Sequence, residues 1–576
     1  MTRSILPDQL RPKPATAPPD RPAAGGAAPA LRWLRERPAR LALAVVLVLA
    51  GLAQLRIWAT GRGFWGDELA IAINLRERGF LELADDLLYY QVAPVGWLVA
   101  GKAMLVGVGP DERVLRLPSL VAGLVVLGLV ALIADRAIGR WSAVAAVGLV
   151  GITPSILYYA GELKQYEVEA AAGLGLLVAG AALTRARVPG RVLAGAAVVA
   201  VVAVAVAYSA LVVLGGVLAG VVSYLAARRR WRAALTSLLM LAPAGLVGAG
   251  LVLHRRSLRF HPSQENVFET GFPEAGGGAG AVLDWLPAMW SGLTEYPLGW
   301  RQPVWTLLLV VAGLVTLAVR GRWQWAAMLA GILVAALGAG AVRGLPLADR
   351  VALYLVPVIV LLLVAGLAGV VWGIGWLARR TPASEPVRLG PTELRPARPR
   401  RAWPVVAVAA AVVLATLAGP PVQAGFAELR DPTVRDTSRE ALWTVAERRQ
   451  PGDVVALYYF SHKAVRWYGE RVGIPEVALL RLVPDDSPDC RPERLDELLA
   501  GAGRVWYADG ARRSADPGDY HLRVAEQLAS RGSIVELHRY HRGSGGWLLV
   551  DLTAGPDPNP PAVAPDPAYG CLTVAD

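Results

Sequence analysis

Long apolar runs, separated by short charged stretches, dominate the chain up to residue 420. Each run covers about 16 to 25 residues rich in Ala, Val, Leu and Gly with few or no charges, which is enough to span a bilayer as a helix. The pattern predicts a mainly α, polytopic transmembrane bundle of about 11 to 12 spans over residues 41–420. The predicted spans are 41–60, 117–134, 141–159, 165–183, 192–226 (broken in two near 207–209), 234–253, 303–319, 326–342, 351–377 and 404–420.

Segment 92–109 is apolar but short, and it contains Lys102. Counting it as a full crossing breaks the alternation of basic and non-basic loops. Two interpretations stay open here, a re-entrant or tilted helix and a true span.

The pattern changes after residue 420. Segments 453–460, 504–509, 533–540 and 547–552 have the composition of strands, and helix-like stretches lie between them. Such alternation predicts a small α/β domain over residues 421–553, followed by a Pro-rich tail at 554–576 whose part 554–570 should be irregular. Both cysteines, Cys490 and Cys571, fall in this part of the chain. They form a disulfide or remain two unpaired thiols.

Composition and charge agree with a membrane protein. Apolar residues make up 55% of the chain and charged residues 18%, and the mean hydropathy is +0.43. The net charge of +12 does not indicate nucleic-acid binding, because the Arg clusters at 228–232 and 395–401 lie between apolar runs, where positive charge marks the cytoplasmic side. The prevalence of Arg over Lys is typical of a GC-rich bacterial genome.

The distribution of Arg predicts the topology in an inner (plasma) membrane. Residues 1–40 are Pro-, Ala- and Arg-rich and are predicted to form a disordered cytoplasmic tail. Span 41–60 is predicted to be an uncleaved signal anchor. An odd number of crossings then places the C-terminal domain outside the cytoplasm.

The adjacent carboxylates Asp67 and Glu68 follow the first span directly. As a structural feature, Asp67 would cap a helix that carries Glu68 in its first turn, with Arg76 and Arg78 in its last turn and Gly79 after it. A fixed, partly desolvated carboxylate at the membrane face can also act as a general base. The two roles are compatible.

A second candidate group opens span 165–183 and is predicted to share the face of Asp67. It comprises Glu162, Lys164, Gln165 and Tyr166. Lys164 could reach the interface with its long side chain, pair with Glu162 or Glu167, or supply a point charge to an anionic headgroup.

Further cations are predicted on the same face. Arg350 either pairs with Asp349 or binds an anion. Arg255 and Arg256 lie in an outer loop, where phosphate binding and interfacial anchoring are both open. His254 and His261 lack the spacing of metal ligands, and the chain has neither a GxxxxGK[ST] phosphate loop nor a GxSxG motif.

The order of these motifs resembles the GT-C superfamily of polytopic glycosyltransferases, which includes protein O-mannosyltransferases and lipid A aminoarabinose transferases. The resemblance covers roughly residues 40–380 and rests on "WGDE" in the first outer loop, "QVAPVGW" (91–97), "RLPSLVAGL" (116–124), "GELKQY" (161–166) and "DRVALYLVP" (349–357). Gln91 and Ala93 stand where relatives carry a His or Lys and the first Pro of their motif.

The resemblance implies an inverting transferase that takes a sugar from a polyprenyl-phosphate donor in the membrane. The acceptor would be a hydroxyl on a glycan, lipid or protein at the outer face. Asp67 would be the general base, Glu68 would orient Asp67 or the acceptor, and Lys164, Arg350 and Arg116 would contact the leaving phosphate, with no cofactor or metal required. Two alternatives stay open: a transporter or flippase of lipid-linked sugars, and a catalytically inactive membrane scaffold.

Overall fold

A computed structural model describes residues 27–254, 268–380, 403–474, 477–510, 517–540 and 545–575. Residues 1–26 of the predicted tail and 381–402 of the basic segment before the last predicted span lie outside the described residues. The first helix, α1, covers Ala27–Ala59. It therefore begins inside the segment predicted as a disordered tail, since the Ala- and Leu-containing sequence from residue 27 onward favours a helix.

Seven helices in the described part of the chain are long and apolar enough to cross a membrane, and a bent pair would add an eighth. The chain is thus a multi-pass membrane protein, as predicted. The seven are Arg37–Ala59 within α1, Glu112–Ala137 (α4), Tyr166–Leu183 (α7), Ser209–Ala227 (α9), Trp231–Leu251 within α10 (Trp231–His254), Trp323–Ala341 (α13) and Asp349–Trp376, which joins a 3-10 turn at Asp349–Leu355 to α14 (Val356–Arg380).

The bent pair and four further helices complete the bundle. The pair consists of Arg140–Ile152 (α5) and Pro154–Ala160 (α6), with a 65° bend. The predicted break near 207–209 lies between Val206 and Ser209. The further helices are Val95–Gly107 (α3), Gly190–Val206 (α8), Pro303–Val319 (α12) and Trp403–Arg430 (α15).

Helix α3 occupies the segment whose crossing was left open. It has 13 residues, which corresponds to about 20 Å of helix, whereas the hydrocarbon core is about 30 Å thick. Lys102 donates through Nζ to the carbonyl oxygen of Leu75 at 2.7 Å. The length and this contact favour the re-entrant or tilted interpretation.

The glycine-rich segment at 274–282 leads into helix α11 (Gly278–Glu295). Trp285, Met289 and Leu293 are buried. Their spacing of four residues places them on one face of the helix. Burial of this face in the core of the bundle stabilises the helix despite its glycine-rich start.

The close approach of helices α9 and α13 depends on two glycines at their crossing. A Cβ on Gly216 would lie 2.5 Å from the carbonyl oxygen of Gly331, and one on Gly331 would lie 2.2 Å from that of Gly216. Helices α9 and α13 therefore pack backbone against backbone. Small residues at a crossing are typical of helix pairs in membranes.

The C-terminal part forms one six-stranded mixed sheet in the order β4-β5-β3-β1-β2-β6. Pairing is parallel between β1 and β2 and between β1 and β3, and antiparallel at both sides of this core. The strands are β1 Val454–Tyr458, β2 Ala478–Val483, β3 Arg504–Asp509, β4 Ser533–Arg539, β5 Gly546–Asp551 and β6 Cys571–Val574. The helices around it are Ser438–Arg448 (α16), His462–Tyr468 (α17), Pro492–Leu499 (α18) and Tyr520–Ala529 (α19).

Four strands match the predicted segments, and β2 and β6 were missed. Strand β6 lies at the end of the segment predicted as a Pro-rich tail, and it pairs with β2 from Leu480↔Val574 to Val483↔Cys571. Cys571 forms a disulfide with Cys490, one of the two alternatives that the sequence left open. The cross-link helps to hold this short edge strand on the sheet.

The sheet domain packs on the helix that carries the candidate carboxylates. This helix, α2, covers Gly66–Glu77. Arg76 donates to the carbonyl oxygens of Arg466 and Trp467, and the backbone N–H of Phe64 donates to the hydroxyl of Tyr468 at 2.9 Å. The segment 61–77 is therefore held between the membrane helices and the sheet domain.

Candidate active site

The candidate residues meet at one end of the bundle. Helix α1 ends there at Ala59, α4 and α7 begin there, and the 3-10 turn before α14 begins there at Asp349. Four chain segments that are far apart in sequence thus converge. The predicted topology requires this of residues on one membrane face.

Asp67 forms ion pairs with two cations from different segments. Its Oδ2 lies 2.8 Å from Nη2 of Arg350 and 3.6 Å from Nζ of Lys164. The side chain of Asp67 is 24% exposed, that of Arg350 20% and that of Lys164 6%. We call these three residues the open cluster, because its carboxylate is accessible from outside.

Burial raises the pKa of Asp67, but the charges of Lys164 and Arg350 outweigh this effect, so its pKa is lowered. Asp67 is therefore ionised in this state. The open cluster carries one negative and two positive charges, an excess that favours a further anion at the exposed edge.

Arg350 pairs with Asp67, whereas the sequence had left open a pairing with Asp349 or the binding of an anion. Asp349 adopts a left-handed backbone with φ 48°, which Asp tolerates better than most residues. The guanidinium of Arg350 also lies over the rings of Trp65 at 5.4 Å and Phe268 at 5.8 Å. These rings fix the planar group in place.

The prediction of Asp67 as the N-cap of α2 was wrong. The N-cap is Trp65, and Asp67 is the second residue of the helix. Glu68 accepts from the backbone N–H of Trp65 at 3.4 Å, so it is Glu68 that bonds to the N-terminal backbone. The carboxylate of Asp67 is turned instead toward Lys164 and Arg350.

Lys164 lies in the short link between α6 and α7 and is buried. Its Nζ donates to Oε1 of Gln91 at 3.0 Å, and its carbonyl oxygen accepts from Ser119 Oγ at 3.0 Å. Burial lowers the pKa of Lys164, and the nearby Asp67 carboxylate opposes this effect without cancelling it. Gln91, at the position where the resembling family has His or Lys, thus supports a cation rather than supplying one.

Glu68 and Arg116 form a second group behind the first. Arg116 binds Glu68 through two hydrogen bonds of 2.8 and 2.6 Å. It also donates to the carbonyl oxygens of Arg62 and Gly63. Glu68 Oε1 accepts from the backbone N–H of Leu163 at 2.6 Å. The side chains of Arg116 and Glu68 are 1% and 0% exposed, and we call this pair the closed cluster.

The closed cluster changes the roles expected for both residues. Arg116 was expected to contact a phosphate, but its guanidinium is enclosed by Glu68 and backbone carbonyls. Glu68 was expected to orient Asp67 or the acceptor. It instead ties α2 to the link that carries Lys164, because one carboxylate oxygen accepts from Leu163, the residue next to Lys164.

Glu162, Gln165 and Tyr166 are buried, as Lys164 is. Glu162 contacts Arg62 at 3.4 Å and accepts from Trp65 Nε1 at 3.1 Å. Burial and the nearby Glu68 raise its pKa. The ring of Tyr166 packs edge-on against Tyr159 at 5.0 Å. Gln165 is buried, and its Oε1 accepts no hydrogen bond from any described residue.

Three residues near the site were not among the sequence candidates. Arg62 contacts Glu162 as above, and Arg435 lies over the rings of Trp65 at 4.8 Å and Tyr158 at 4.6 Å. Lys463 belongs to α17 of the sheet domain, and its charge helps to lower the pKa of Asp67. One sequence signal could have found it: lysine occurs only at positions 13, 102, 164 and 463.

The remaining candidates are not part of this geometry. Arg255, Arg256 and His261 lie outside the described residues. His254 contacts the carbonyl oxygen of Ala84 at 3.0 Å. Within the described ranges, no group of three or more His, Cys, Asp or Glu side chains could hold a metal ion, and the expectation of metal-free chemistry stays a prediction.

No protein-family model matches the chain, and no curated protein matches it. Solved structures similar to it include ArnT from Cupriavidus metallidurans bound to undecaprenyl phosphate, with 16% identity over 91% of this chain and 100% of that chain and a TM-score of 0.46. The same protein in its apo state is similar with 16% identity over 92% of this chain and 100% of that chain, at a TM-score of 0.43.

The archaeal oligosaccharyltransferase AglB from Archaeoglobus fulgidus, in complex with an inhibitory peptide and a dolichol-phosphate, is similar with 13% identity over 88% of this chain and 74% of that chain, at a TM-score of 0.42. These structures belong to the class that the sequence resembles. Each TM-score lies below 0.5, so the function is inferred from the residues of the site.

Proposed function

We propose that the chain is an inverting glycosyltransferase that moves a sugar from a polyprenyl-phosphate donor to an acceptor hydroxyl at the extracytoplasmic membrane face. The observation that carries this proposal is the open cluster. A partly exposed carboxylate stands between two cations at the common end of the helices, where a lipid phosphate and a polar acceptor can both arrive.

In the proposed reaction, Lys164 and Arg350 bind the donor phosphate. The acceptor oxygen forms a bond to the anomeric carbon as the bond from that carbon to the phosphate oxygen breaks. The polyprenyl phosphate leaves with the bonding electrons, and the hydroxyl proton passes to Asp67. A positioned general base contributes about 10²–10⁴-fold to such a step, and fixed cations stabilise the charge that develops on the leaving group.

Donor binding would also adjust the basicity of Asp67. In the free protein, Lys164 and Arg350 keep its pKa low, which makes it a weak base. A bound phosphate neutralises part of this positive charge, so the pKa of Asp67 should rise toward that of a better base. The carboxylate would thus become an effective base only when the donor is present.

The closed cluster supports this chemistry from behind. Glu68 is assigned as a positioning residue that fixes the link 161–165 through Leu163, and Arg116 holds Glu68 in turn. Gln91 steadies the ammonium group of Lys164. The side chain of Asp67 remains 24% exposed, and this exposed part is available to the two substrates.

A transporter or flippase of lipid-linked sugars is the alternative. A transporter is expected to place its substrate-binding ionisable groups near the middle of the membrane. Asp67, Lys164 and Arg350 instead gather at one end of the bundle. This placement favours the transferase.

The test is sugar transfer by the purified Asp67→Asn protein with a radiolabelled polyprenyl-phosphate sugar. We expect transfer to fall by about 10²–10⁴-fold, with donor binding retained because both cations remain. Asp86→Asn, which changes an exposed carboxylate on the following loop, is the matched control and should transfer at the normal rate. Transfer by Asp67→Asn at the control rate would exclude Asp67 as the base.

The proposal has two corollaries. Transfer should continue in the presence of EDTA, because the cations that face the phosphate are side chains. The C-terminal sheet domain should lie outside the cytoplasm, and a reporter enzyme fused after residue 576 would report its side. A cytoplasmic reporter signal would contradict the topology.

A further inference from the structure

A cavity lies at the seam between the membrane helices and the sheet domain. Its volume is about 570 Å³, which is within the range of about 300–1,000 Å³ typical of small-molecule sites. The membrane side contributes the start of α4, and the sheet domain contributes α16 and the turn that follows α17. The side chains that matter for the argument are Asp111, Glu112, Arg439, Glu440, Trp443 and Arg471.

We infer that this cavity binds a neutral saccharide. Trp443 is 38% exposed, although it packs edge-on against the buried Tyr468 at 5.6 Å. Its indole thus combines a fixed position with an accessible surface. An aromatic ring held in this way stacks well on the apolar face of a sugar ring, where C–H groups meet the π-electrons.

The charges of the cavity favour a neutral ligand over a phosphate. Arg439 pairs with Glu440 at 2.7 Å and with Glu112 at 3.5 Å, so its charge is already balanced within the wall. An anionic ligand would meet carboxylates, and a cationic one would meet guanidinium groups. A sugar hydroxyl both donates and accepts, and it can therefore bond to either kind of group.

Segment 61–65 connects the cavity to the open cluster. Arg439 donates to the carbonyl oxygen of Gly61 at 2.7 Å, and a Cβ on Gly63 would lie 3.1 Å from Cβ of Arg439. The same segment carries Trp65, whose ring lies 5.4 Å from the guanidinium of Arg350 in the open cluster. A saccharide in the cavity would therefore be linked to the open cluster through segment 61–65.

This position gives the saccharide a role in the proposed reaction. The cavity would hold a non-reacting part of a glycan acceptor while its reacting hydroxyl reaches Asp67. That role rests on the proposed function. Saccharide binding itself does not depend on it.

The test is saturation-transfer NMR on the full-length protein in detergent. The probes are the methyl glycosides of glucose, galactose, mannose, arabinose and N-acetylglucosamine. We expect at least one to bind the unchanged protein, and Trp443→Ala to weaken that binding by about tenfold, the loss of one aromatic contact. Trp443→Phe keeps a ring and should bind within about threefold.

Two further measurements separate this inference from the proposed function. Asp67→Asn should bind the probe as the unchanged protein does, and circular dichroism melting should show that Trp443→Ala is folded. Absence of binding by every probe, or equal binding by folded Trp443→Ala, would overturn the inference. Loss of binding in Asp67→Asn would assign the saccharide to the open cluster instead. Transfer by Asp67→Asn would disprove the proposed base and leave the saccharide site standing.

Discussion

Asp67 of the open cluster and Glu68 of the closed cluster are adjacent in sequence, yet they differ in exposure and in how they bind their cations. Asp67 keeps 24% of its side chain exposed and shares two cations over 2.8 and 3.6 Å. Glu68 is fully enclosed, and Arg116 binds it through two hydrogen bonds. An enclosed pair has no edge left for a ligand, whereas the exposed carboxylate can exchange partners. The comparison teaches that a carboxylate next to a cation is a candidate for chemistry only where the pair stays open.

The largest effect should follow from breaking the closed cluster. Glu68→Gln leaves the buried Arg116 without its counter-charge, and loss of one partner of a buried pair costs about 3–5 kcal/mol. We expect a lower melting temperature in detergent and poor recovery of the protein. Thermal unfolding followed by circular dichroism would measure this.

Glu82→Gln is the control for that measurement, because Glu82 is an exposed glutamate in the 3-10 turn that follows α2. It should melt as the unchanged protein does. A Glu68→Gln protein with an unchanged melting temperature would show that the closed cluster is not needed for stability, and the distinction between the two clusters would fail.

Arg350→Met should instead reduce transfer while the fold persists. Arg350 is 20% exposed, and the loss of one fixed group that stabilises developing charge costs about 10²–10³-fold in rate. Steady-state transfer from the polyprenyl-phosphate sugar would measure the loss. Arg322→Met, at an exposed position between α12 and α13, is the control and should leave transfer unchanged. A melting temperature reduced as strongly as in Glu68→Gln would mean that Arg350 is mainly structural.

The pH dependence sharpens the comparison further, because only the open cluster should titrate during turnover. Asp67 has a lowered pKa, so kcat/KM should fall only when the pH drops below the ordinary Asp value of about 3.9. Lys164 also has a lowered pKa, so kcat/KM should fall again as the pH rises, before the ordinary Lys value of about 10.4 is reached.

Lys164→Arg isolates the alkaline side of this profile. Arginine stays protonated at these pH values, so the fall at high pH should move upward or disappear. Bound phosphate is expected to raise the pKa of Asp67, so the fall of kcat at low pH should begin at a higher pH than the fall of kcat/KM. An alkaline fall that is unchanged in Lys164→Arg would assign that titration to another group.

The sequence was sufficient for the framework of the bundle and for the meeting of its charged ends. Hydropathy locates the spans because lipid forces each backbone to bond within its own helix. Alternation of sides then places Asp67, Lys164 and Arg350 together. Helix 278–295 was missed, since its apolar face becomes evident only against the helices that cover it.

The detailed partners depend on packing between distant segments. Arg116 was expected to bind a ligand, because cations at the ends of membrane helices often bind lipid headgroups. Its guanidinium is instead enclosed by segment 62–68, which folds over it. Asp67 was expected to cap α2, yet two cations from residues 164 and 350 compete for its carboxylate. Strand β6 has no clear signal of its own, because it is short and follows a Pro-rich stretch. Its register comes from β2.

The smallest effect tests whether the sheet domain takes part in the open cluster. Lys463 is carried by α17, where its ammonium lies over the ring of Tyr89 at 5.0 Å and its charge acts on Asp67. It contributes a long-range attraction rather than a direct bond to Asp67, so Lys463→Gln should raise KM for the lipid donor by about fivefold, or about 1 kcal/mol. We expect kcat to change little, because the two nearer cations remain. Lys463→Arg keeps the positive charge and should have the KM of the unchanged protein. Equal KM values in the unchanged protein, Lys463→Gln and Lys463→Arg would show that the sheet domain does not take part in the open cluster.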